Sequence, residues 1–336
     1  MINMRNLEER LDCLIAEKTA ENIFVRVGRW DEILYDAHRG NVNETTLFDM
    51  ASVTKIYATT SLALIAIDKG WLSVENTVKD FYPDCTKDLT ILNLLTHTIG
   101  VGYKQLWTID GASENVAKAI WNIPCDIPIG ENVLYSCPAF ILFAKILEKI
   151  YGKSLDKAFE EYLAKPLGLQ STQFCPTRRT NIVNANAQGE KLGIVNDLNC
   201  QFLGGVSGNA GLFSDITDTT KYVKCLLNKG APLISERTFE QAVKNYTADK
   251  KESRGLGFLY VDERYEQTGE LFENGAIGHC GHTGQSLFLD YKTGLYVIIL
   301  SDATISTIKK YGGERYGEVV DMRKNLHNAI KKDLKL

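Results

Sequence analysis

The stretch that decides the fold runs from Phe48 to Gly70 and reads FDMASVTKIYATTSLALIAIDKG. Its apolar residues at positions 56, 62, 63, 66 and 67 recur at helical spacing, and Gly70 is a stop signal. The sequence therefore predicts a buried helix that begins near Ser52. Ser52 and Lys55 are then one turn apart on the same face of this helix.

Ser52 is the candidate nucleophile. A hydroxyl near the positive end of a helix dipole, with an amine three residues on, is activated if burial keeps the amine partly neutral. The simple alternative is that Ser52 only caps the helix. The same Ser-x-x-Lys spacing recurs at Ser154 and Lys157 and at Ser306 and Lys309. We interpret Ser154 as a helix cap, because charged residues follow it, whereas apolar residues follow Ser52.

The 336-residue chain has the composition of an ordinary globular protein, with 44% apolar and 24% charged residues. This length accommodates two subdomains, or one large domain with an insertion. A net charge of -4 argues against nucleic acid or an anionic membrane as a main partner. Small molecules or neutral polymers are the expected partners.

Several features predict a cytoplasmic protein. The longest apolar runs, such as residues 62–67, are too short to span a bilayer, so no membrane span is expected. Residues 1–10 carry mixed charge and lack the apolar segment of a secretory signal. The eight cysteines include no Cys-x-x-Cys pair, and without an export signal we expect reduced thiols.

Strand patterns at both ends of the chain enclose a mostly helical middle. The predicted elements are a helix over 5–20, a hairpin of 23–27 with 33–35, strands over 257–261, 276–281, 286–290 and 295–301, and a closing helix over 317–335. The economical fold is α+β, an α/β sandwich in which both ends form one antiparallel sheet. We expect a sheet lobe of residues 1–50 and 250–336, an inserted helical lobe of residues 51–249, and an active cleft between them.

Two further segments supply groups that a serine nucleophile needs. Tyr135 lies in a turn before the helix that Pro138 opens, and a lysine ammonium beside a tyrosine lowers the tyrosine pKa toward that of a base. A plain core or surface phenol is the alternative for Tyr135. Near the C-terminal end, His279–Gly281 and His282–Gly284 are both candidates for a strand that presents a polar group and glycines to a substrate. Lys292–Gly294 is instead predicted to be a hairpin tip.

These motifs, in this order, resemble those of the serine β-lactamase and penicillin-binding-protein superfamily, in its class C branch of β-lactamases, D,D-peptidases and esterases. Further matching pieces are residues 48–55, 94–100, 166–168 and 205–214, so the resemblance spans roughly residues 45–302. It implies a two-lobed serine hydrolase that needs no cofactor or metal. Its implied substrate is a small-molecule ester, amide or peptide.

The resemblance also implies a role for each motif residue. Ser52 resembles the acylated serine, Lys55 its proton partner, and Tyr135 the base that also serves the leaving group. For the strand, the resemblance favours His279 and Gly281 as substrate-binding residues, with the backbone N–H groups of Ser52 and His282 as the oxyanion hole. If the register is three residues later, His282 is the side chain in the cleft.

The chain departs from the branch at two positions. Cys137 stands where the branch has asparagine, and a thiol cannot donate the amide hydrogen bonds that hold a substrate carbonyl, so efficient penicillin hydrolysis is not expected. A histidine replaces the strand lysine, and it is mostly uncharged at neutral pH, which weakens recognition of a substrate carboxylate. Both changes indicate a less anionic ester or amide.

Two hypotheses from other classes stay open: a non-catalytic binding or sensing module with this fold, and a cysteine hydrolase that uses Cys137. We interpret Cys137 itself as a small buried thiol. His97, in a helix-ending turn, is interpreted as a hydrogen-bonded structural histidine. Asp197 and Asn199 precede the glycine-rich segment 204–211 and are weaker candidates for the cleft wall.

Overall fold

The structure is a computed structural model, and it describes residues 3–177, 180–185 and 192–336. Its strands are β1 (Ile23–Arg29), β2 (Glu32–Arg39), β3 (Phe48–Asp49), β4 (Gln173–Phe174), β5 (Leu212–Ser214), β6 (Leu259–Tyr260), β7 (Ile277–Cys280), β8 (Ser286–Leu289) and β9 (Leu295–Ser301). Both ends of the chain contribute to an antiparallel six-stranded sheet in the order β2-β1-β9-β8-β7-β6. A smaller antiparallel sheet has the order β3-β5-β4.

Helices cover both faces of the large sheet. They are α1 (Arg5–Ala16), α2 (Ser61–Asp68), α3 (Val78–Phe81), α4 (Ile91–Leu95), α5 (Val116–Asn122), α6 (Cys137–Tyr151), α7 (Leu155–Phe159), α8 (Lys165–Leu167), α9 (Leu198–Phe202), α10 (Ile216–Leu227), α11 (Glu236–Ala242), α12 (Ala303–Tyr311) and α13 (Tyr316–Leu334). None of the described helices combines the length and the apolar character needed to cross a membrane.

Successive side chains of the central strands point to opposite faces of the sheet, and each face has its own hydrophobic core. In β9, Val297 and Ile299 face a core formed with α1 and α13, whereas Ile298 and Leu300 face a larger core formed with α2, α6 and α10. Successive side chains of a strand point to opposite faces, so a strand covered on both sides is apolar throughout. The predicted α+β class and the antiparallel sheet from both chain ends are confirmed.

Most predicted elements are present, with different lengths. The hairpin of β1 and β2 is antiparallel, with a register shift between Val27 and Gly28, and Lys292–Gly294 lies in the turn between β8 and β9, as predicted. The strand predicted over 257–261 is reduced to Leu259–Tyr260. Gly257 has a φ of +77°, a left-handed conformation that a strand does not accommodate. Helix α12 was not predicted.

The prediction of one regular helix from Ser52 onward is wrong in detail. Ser52 lies in a single 3₁₀ turn over Ala51–Val53, the following Lys55–Thr60 is π-helical, and regular α-helix begins only at Ser61. The Ile56 carbonyl accepts hydrogen bonds from Ser61 Oγ at 3.0 Å and Tyr222 Oη at 2.9 Å. Because these side chains occupy that carbonyl, the regular α-helical pattern is interrupted there.

Candidate active site

A tight turn presents the Ser52 side chain. Ala51, directly before it, has a φ of +44°, which is an unfavourable conformation for a residue with a Cβ. Asp49 holds this turn, because its Oδ1 accepts the Ala51 N–H at 2.8 Å and its Oδ2 accepts the Asn196 N–H at 2.7 Å. Burial raises the pKa of Asp49 to about 6, although the two hydrogen bonds act to lower it.

The Ser52 hydroxyl is the meeting point of two other predicted residues. Lys55 Nζ lies 3.0 Å from Ser52 Oγ, and Tyr135 Oη lies 2.7 Å from it, each as a hydrogen-bond donor. Lys55 is fully buried and also donates to the backbone carbonyl of Asn209 at 2.9 Å. A hydroxyl, an amine and a phenol therefore share one small hydrogen-bonded cluster.

The protonation states of this cluster differ from those expected from the sequence. Burial disfavours the Lys55 ammonium, but Cys137 and Tyr135 favour it, and the net result is a raised pKa for Lys55. The condition of a partly neutral amine, under which Lys55 would activate Ser52, is therefore not met. Burial likewise raises the pKa of Tyr135, although Lys55 acts in the opposite direction, so the expected lowering is wrong. At neutral pH the cluster contains an ammonium ion and a neutral phenol.

His97 fixes the turn that carries Tyr135. Its Nδ1 accepts the Ser136 N–H at 3.0 Å, and its ring centroid lies 4.7 Å from that of Tyr135. Burial keeps the pKa of His97 well below its usual value, so the ring is neutral. The interpretation of His97 as a hydrogen-bonded structural histidine is confirmed, whereas its contact with Tyr135 was not predicted.

The end of strand β7 packs directly against the turn that presents Ser52. A Cβ at Gly281 would lie 2.8 Å from the Met50 carbonyl oxygen, so only glycine allows this approach. His279 is buried, and its ring centroid lies 6.2 Å from that of Tyr135. His282 is half-buried, and its Nε2 lies 3.3 Å from Glu314 Oε1. Its side chain lines a cavity beside Ser52. Both histidines are thus at the site, one behind the phenol and one on the cavity wall.

A cavity of about 640 Å³ opens beside Ser52. Its wall comes from two parts of the chain, residues between 51 and 210 and residues between 282 and 314. The charged side chains that line it are those of Asp197, Glu314 and, when protonated, His282; within the described ranges no lysine or arginine does so. Asp197, a weaker candidate in the sequence, lines this cavity, whereas Asn199 is buried and contacts the 104–106 backbone.

Cys137 lies in the same cavity wall, at the first residue of α6. Its sulfur is 3.7 Å from Lys55 Nζ and is nearly inaccessible to solvent. Burial raises the pKa of the Cys137 thiol, although Lys55 acts to lower it. A neutral thiol is a poor nucleophile, so this position contributes a small apolar surface rather than a reactive anion.

Asp49, like Glu314 and Arg254, is a residue of the site that was not predicted from the sequence. A usable signal was present, because an aspartate two residues before a turn position commonly accepts that residue's backbone N–H. Its second contact, with Asn196, joins segments that are 147 positions apart. No local pattern predicts such a contact.

The fold and this cluster define a class of protein, the β-lactamase-like hydrolases. The sequence profile of the Beta-lactamase family matches residues 7–316, and this chain therefore belongs to that family. The relatives include the N-acetylmuramyl-L-alanine amidase of Bacillus subtilis (strain 168), 26% identical over 76% of this chain and 68% of the relative. Another is an Escherichia coli (strain K12) protein provisionally named a D-alanyl-D-alanine carboxypeptidase, 28% identical over 78% of this chain and 70% of the relative.

Solved structures share the fold at lower identity. EstCE1, described as a hydrolase with promiscuous acyltransferase activity, is 20% identical with a TM-score of 0.76, over 96% of this chain and 98% of that one. The octameric penicillin-binding protein homologue from Pyrococcus abyssi is 17% identical with a TM-score of 0.69, over 93% of this chain and 78% of that one. These structures agree with a β-lactamase-like arrangement of sheet and helices.

Proposed function

We propose that this protein is a serine hydrolase that forms an acyl-enzyme on Ser52 and cleaves an ester or amide. The observation that carries the proposal is the pair of hydrogen bonds at Ser52 Oγ, from Lys55 and Tyr135, beside a cavity large enough for a small substrate. The relatives are named an amidase and a carboxypeptidase, and both names describe the cleavage of an amide bond.

The proposed reaction needs one proton acceptor in the cluster. Once Tyr135 has lost its proton, its phenolate takes the hydroxyl proton of Ser52 while Ser52 Oγ attacks the substrate carbonyl carbon. The tetrahedral intermediate then collapses, and the leaving group departs with the proton from Tyr135. Water attacks the acyl-enzyme, gives one proton to Tyr135, and releases the acid product as Ser52 regains its hydrogen. The Lys55 ammonium stabilises the phenolate throughout.

The backbone N–H of His282 is a suitable donor for the oxyanion in this scheme. It donates no hydrogen bond to any residue in the described ranges, although His282 lies in the cavity wall. A donor left open beside a nucleophile can bind the negative charge that develops on the carbonyl oxygen. We propose the Ser52 N–H as its partner, and Gly281 as the residue whose missing side chain keeps the two close.

The charges of the cavity favour a substrate that is not anionic. Asp197 and Glu314 line it, and His279, which is close to Tyr135, is uncharged because burial keeps its pKa well below the usual value. A carboxylate on the substrate would meet two acidic side chains. We therefore propose neutral or cationic esters and amides as preferred substrates, and weak activity at most toward penicillins.

Incubation with neutral p-nitrophenyl esters tests this function. The wild type is expected to release product steadily, and a fluorophosphonate probe is expected to add one adduct that peptide mapping places on Ser52. Ser52→Ala should lose both, with an unchanged thermal melt. Thr59→Ala, which removes a buried hydroxyl one turn beyond the cluster, is a control for nonspecific loss of structure.

The two rival hypotheses predict different results in the same assay. Labelling of Ser52 without turnover of any ester or amide would identify a binding or sensing module. Turnover that survives Ser52→Ala and disappears on alkylation would identify a cysteine hydrolase. Either result would overturn the proposed function.

A further inference from the structure

Arg254 is a buried cation behind the proposed base, and nothing in the scheme above uses it. Its side chain is almost fully buried, and its guanidinium carbon lies 5.8 Å from the centroid of the Tyr135 ring. Lys55 Nζ lies 4.9 Å from the same centroid. Within the described part of the chain, Tyr135 therefore has two cations within 6 Å of its ring centroid, and only one of them belongs to the motifs.

The backbone around Arg254 is held firmly. The Arg254 N–H donates to Thr247 Oγ1 at 2.8 Å, and the Arg254 carbonyl accepts the Tyr246 N–H at 2.8 Å. A Cβ at the next residue, Gly255, would lie 2.6 Å from the Ala242 carbonyl oxygen. This close packing fixes where the Arg254 side chain enters the interior.

The guanidinium has one charged partner and two open donors. Its Nη2 forms an ion pair with Glu252, and the paired oxygen, Glu252 Oε1, is buried as well. Nε and Nη1 are buried and have no hydrogen-bond partner within the described residues. Charges in such a buried site interact strongly with neighbouring groups, because little water screens them.

The other polar groups behind Tyr135 do not provide a charge. His279 Nδ1 lies 2.7 Å from the Cys280 carbonyl, so Nδ1 carries the hydrogen and the buried Nε2 is a bare acceptor. His97 is neutral as well, because burial and Arg254 keep its pKa well below the usual value. Among the described residues, the positive charge that faces the phenol, apart from Lys55, therefore comes from Arg254.

We propose that Arg254 is a positioning residue for the reaction, whose fixed positive charge stabilises the deprotonated form of Tyr135. This rests on the proposed function, in which Tyr135 accepts the proton of Ser52. It adds a group outside the motifs that determines how much of the protein is active at a given pH. In the described ranges, the titratable or charged groups that face Tyr135 and Arg254 are Lys55, Cys137, His97, Glu252, Tyr265 and His279.

The test measures Tyr135 directly as well as through activity. Ultraviolet difference absorbance, taken against Tyr135→Phe in the same background, reports the pH at which the Tyr135 phenolate forms. Arg254→Met is expected to move this pH and the rising limb of kcat/KM upward by about one pH unit, which lowers activity below the limb about tenfold. Arg254→Lys should restore most of both, because it keeps a positive charge.

Matched variants separate charge from structure. Arg26→Met removes another buried arginine that is paired with a carboxylate, Asp36, away from the cavity, and it should lower stability without moving the phenolate titration. Glu252→Gln keeps Arg254 and removes its counterion, so it should move the titration in the opposite direction, to lower pH.

The outcomes are distinct. If the Tyr135 phenolate forms at the same pH in Arg254→Met and in wild type, the role of Arg254 is overturned, even if ester turnover confirms the proposed function. If Arg254→Met does not fold, an unchanged titration in Glu252→Gln overturns the role instead. If no substrate is turned over, the proposed function fails, while the absorbance titration still decides whether Arg254 stabilises the phenolate.

Discussion

Tyr135 and Ser52 are 83 positions apart in the chain, and the phenol of one donates a 2.7 Å hydrogen bond to the hydroxyl of the other. Lys55 donates to the same oxygen, so the serine is held between two donors in the resting protein. This arrangement positions the hydroxyl but leaves it without a proton acceptor. Loss of one proton from the cluster is therefore the event that creates a nucleophile.

The first prediction concerns the phenol. Tyr135→Phe removes the proton acceptor but retains the ring packed against His97, so the fold should be preserved. We expect kcat/KM for a neutral ester to fall by about 10²- to 10⁴-fold, the usual contribution of a general base. Steady-state kinetics and a thermal melt check this. A loss of less than a few-fold would show that another group accepts the proton.

The second prediction concerns pH. The pKa values of both Lys55 and Tyr135 are raised, so the cluster is fully protonated at neutral pH and gains its acceptor only as pH rises. We expect kcat/KM to increase with pH above neutrality and then to level off. The buried histidines His97 and His279 should not add a limb near neutral pH, because their pKa values are well below the usual range. An activity that decreases from acid to alkaline pH would contradict this scheme.

The third prediction concerns Cys137. Its thiol is buried and has a raised pKa, so it should act as a wall of the cavity and not as a nucleophile. Cys137→Ser is expected to keep ester turnover within a few-fold of wild type, with the adduct still on Ser52. Cys13→Ser, at an exposed position, is the matched control. Complete loss of turnover in Cys137→Ser alone would support cysteine chemistry.

The fourth prediction concerns the charge of the cavity. Asp197 accepts the Cys200 N–H at the start of α9, and asparagine caps a helix equally well, so Asp197→Asn removes a charge with little structural change. Wild type should prefer a neutral ester over its carboxylate-bearing analogue. In Asp197→Asn this preference should shrink by about fivefold at low salt. Equal kcat/KM ratios in the two proteins would show that Asp197 does not select the substrate.

The fifth prediction concerns stability and Asp49. Its pKa of about 6 in the folded protein exceeds the ordinary value of 3.8, so its contribution to stability is fully present below pH 3.8 and is lost as pH rises through about 6. This difference corresponds to about 3 kcal/mol. The free energy of unfolding, measured with urea, should decrease between acid and neutral pH by about 3 kcal/mol less in Asp49→Asn than in wild type. Asp31→Asn, at an exposed carboxylate, should follow wild type.

The features that depend on local spacing could be predicted without coordinates. Ser52 and Lys55 are three positions apart, and the nearly continuous apolar run of residues 295–301 is typical of a core strand. The family resemblance indicated Tyr135 as the third member because its motif has a fixed order. It did not predict the π-helical segment, in which the Ile56 carbonyl accepts a hydrogen bond from Tyr222 of a distant helix.

The electrostatics of the candidate site depend on the three-dimensional arrangement of the chain. Whether Lys55 is charged, and in which direction the pKa of Tyr135 moves, depends on how completely other segments exclude water and which charges they bring. Asn196, Asp197 and Arg254 reach the site from segments that no local pattern connects to Ser52. Desolvation and Coulomb interactions act through space, so residues far apart in sequence determine together what a short motif can do.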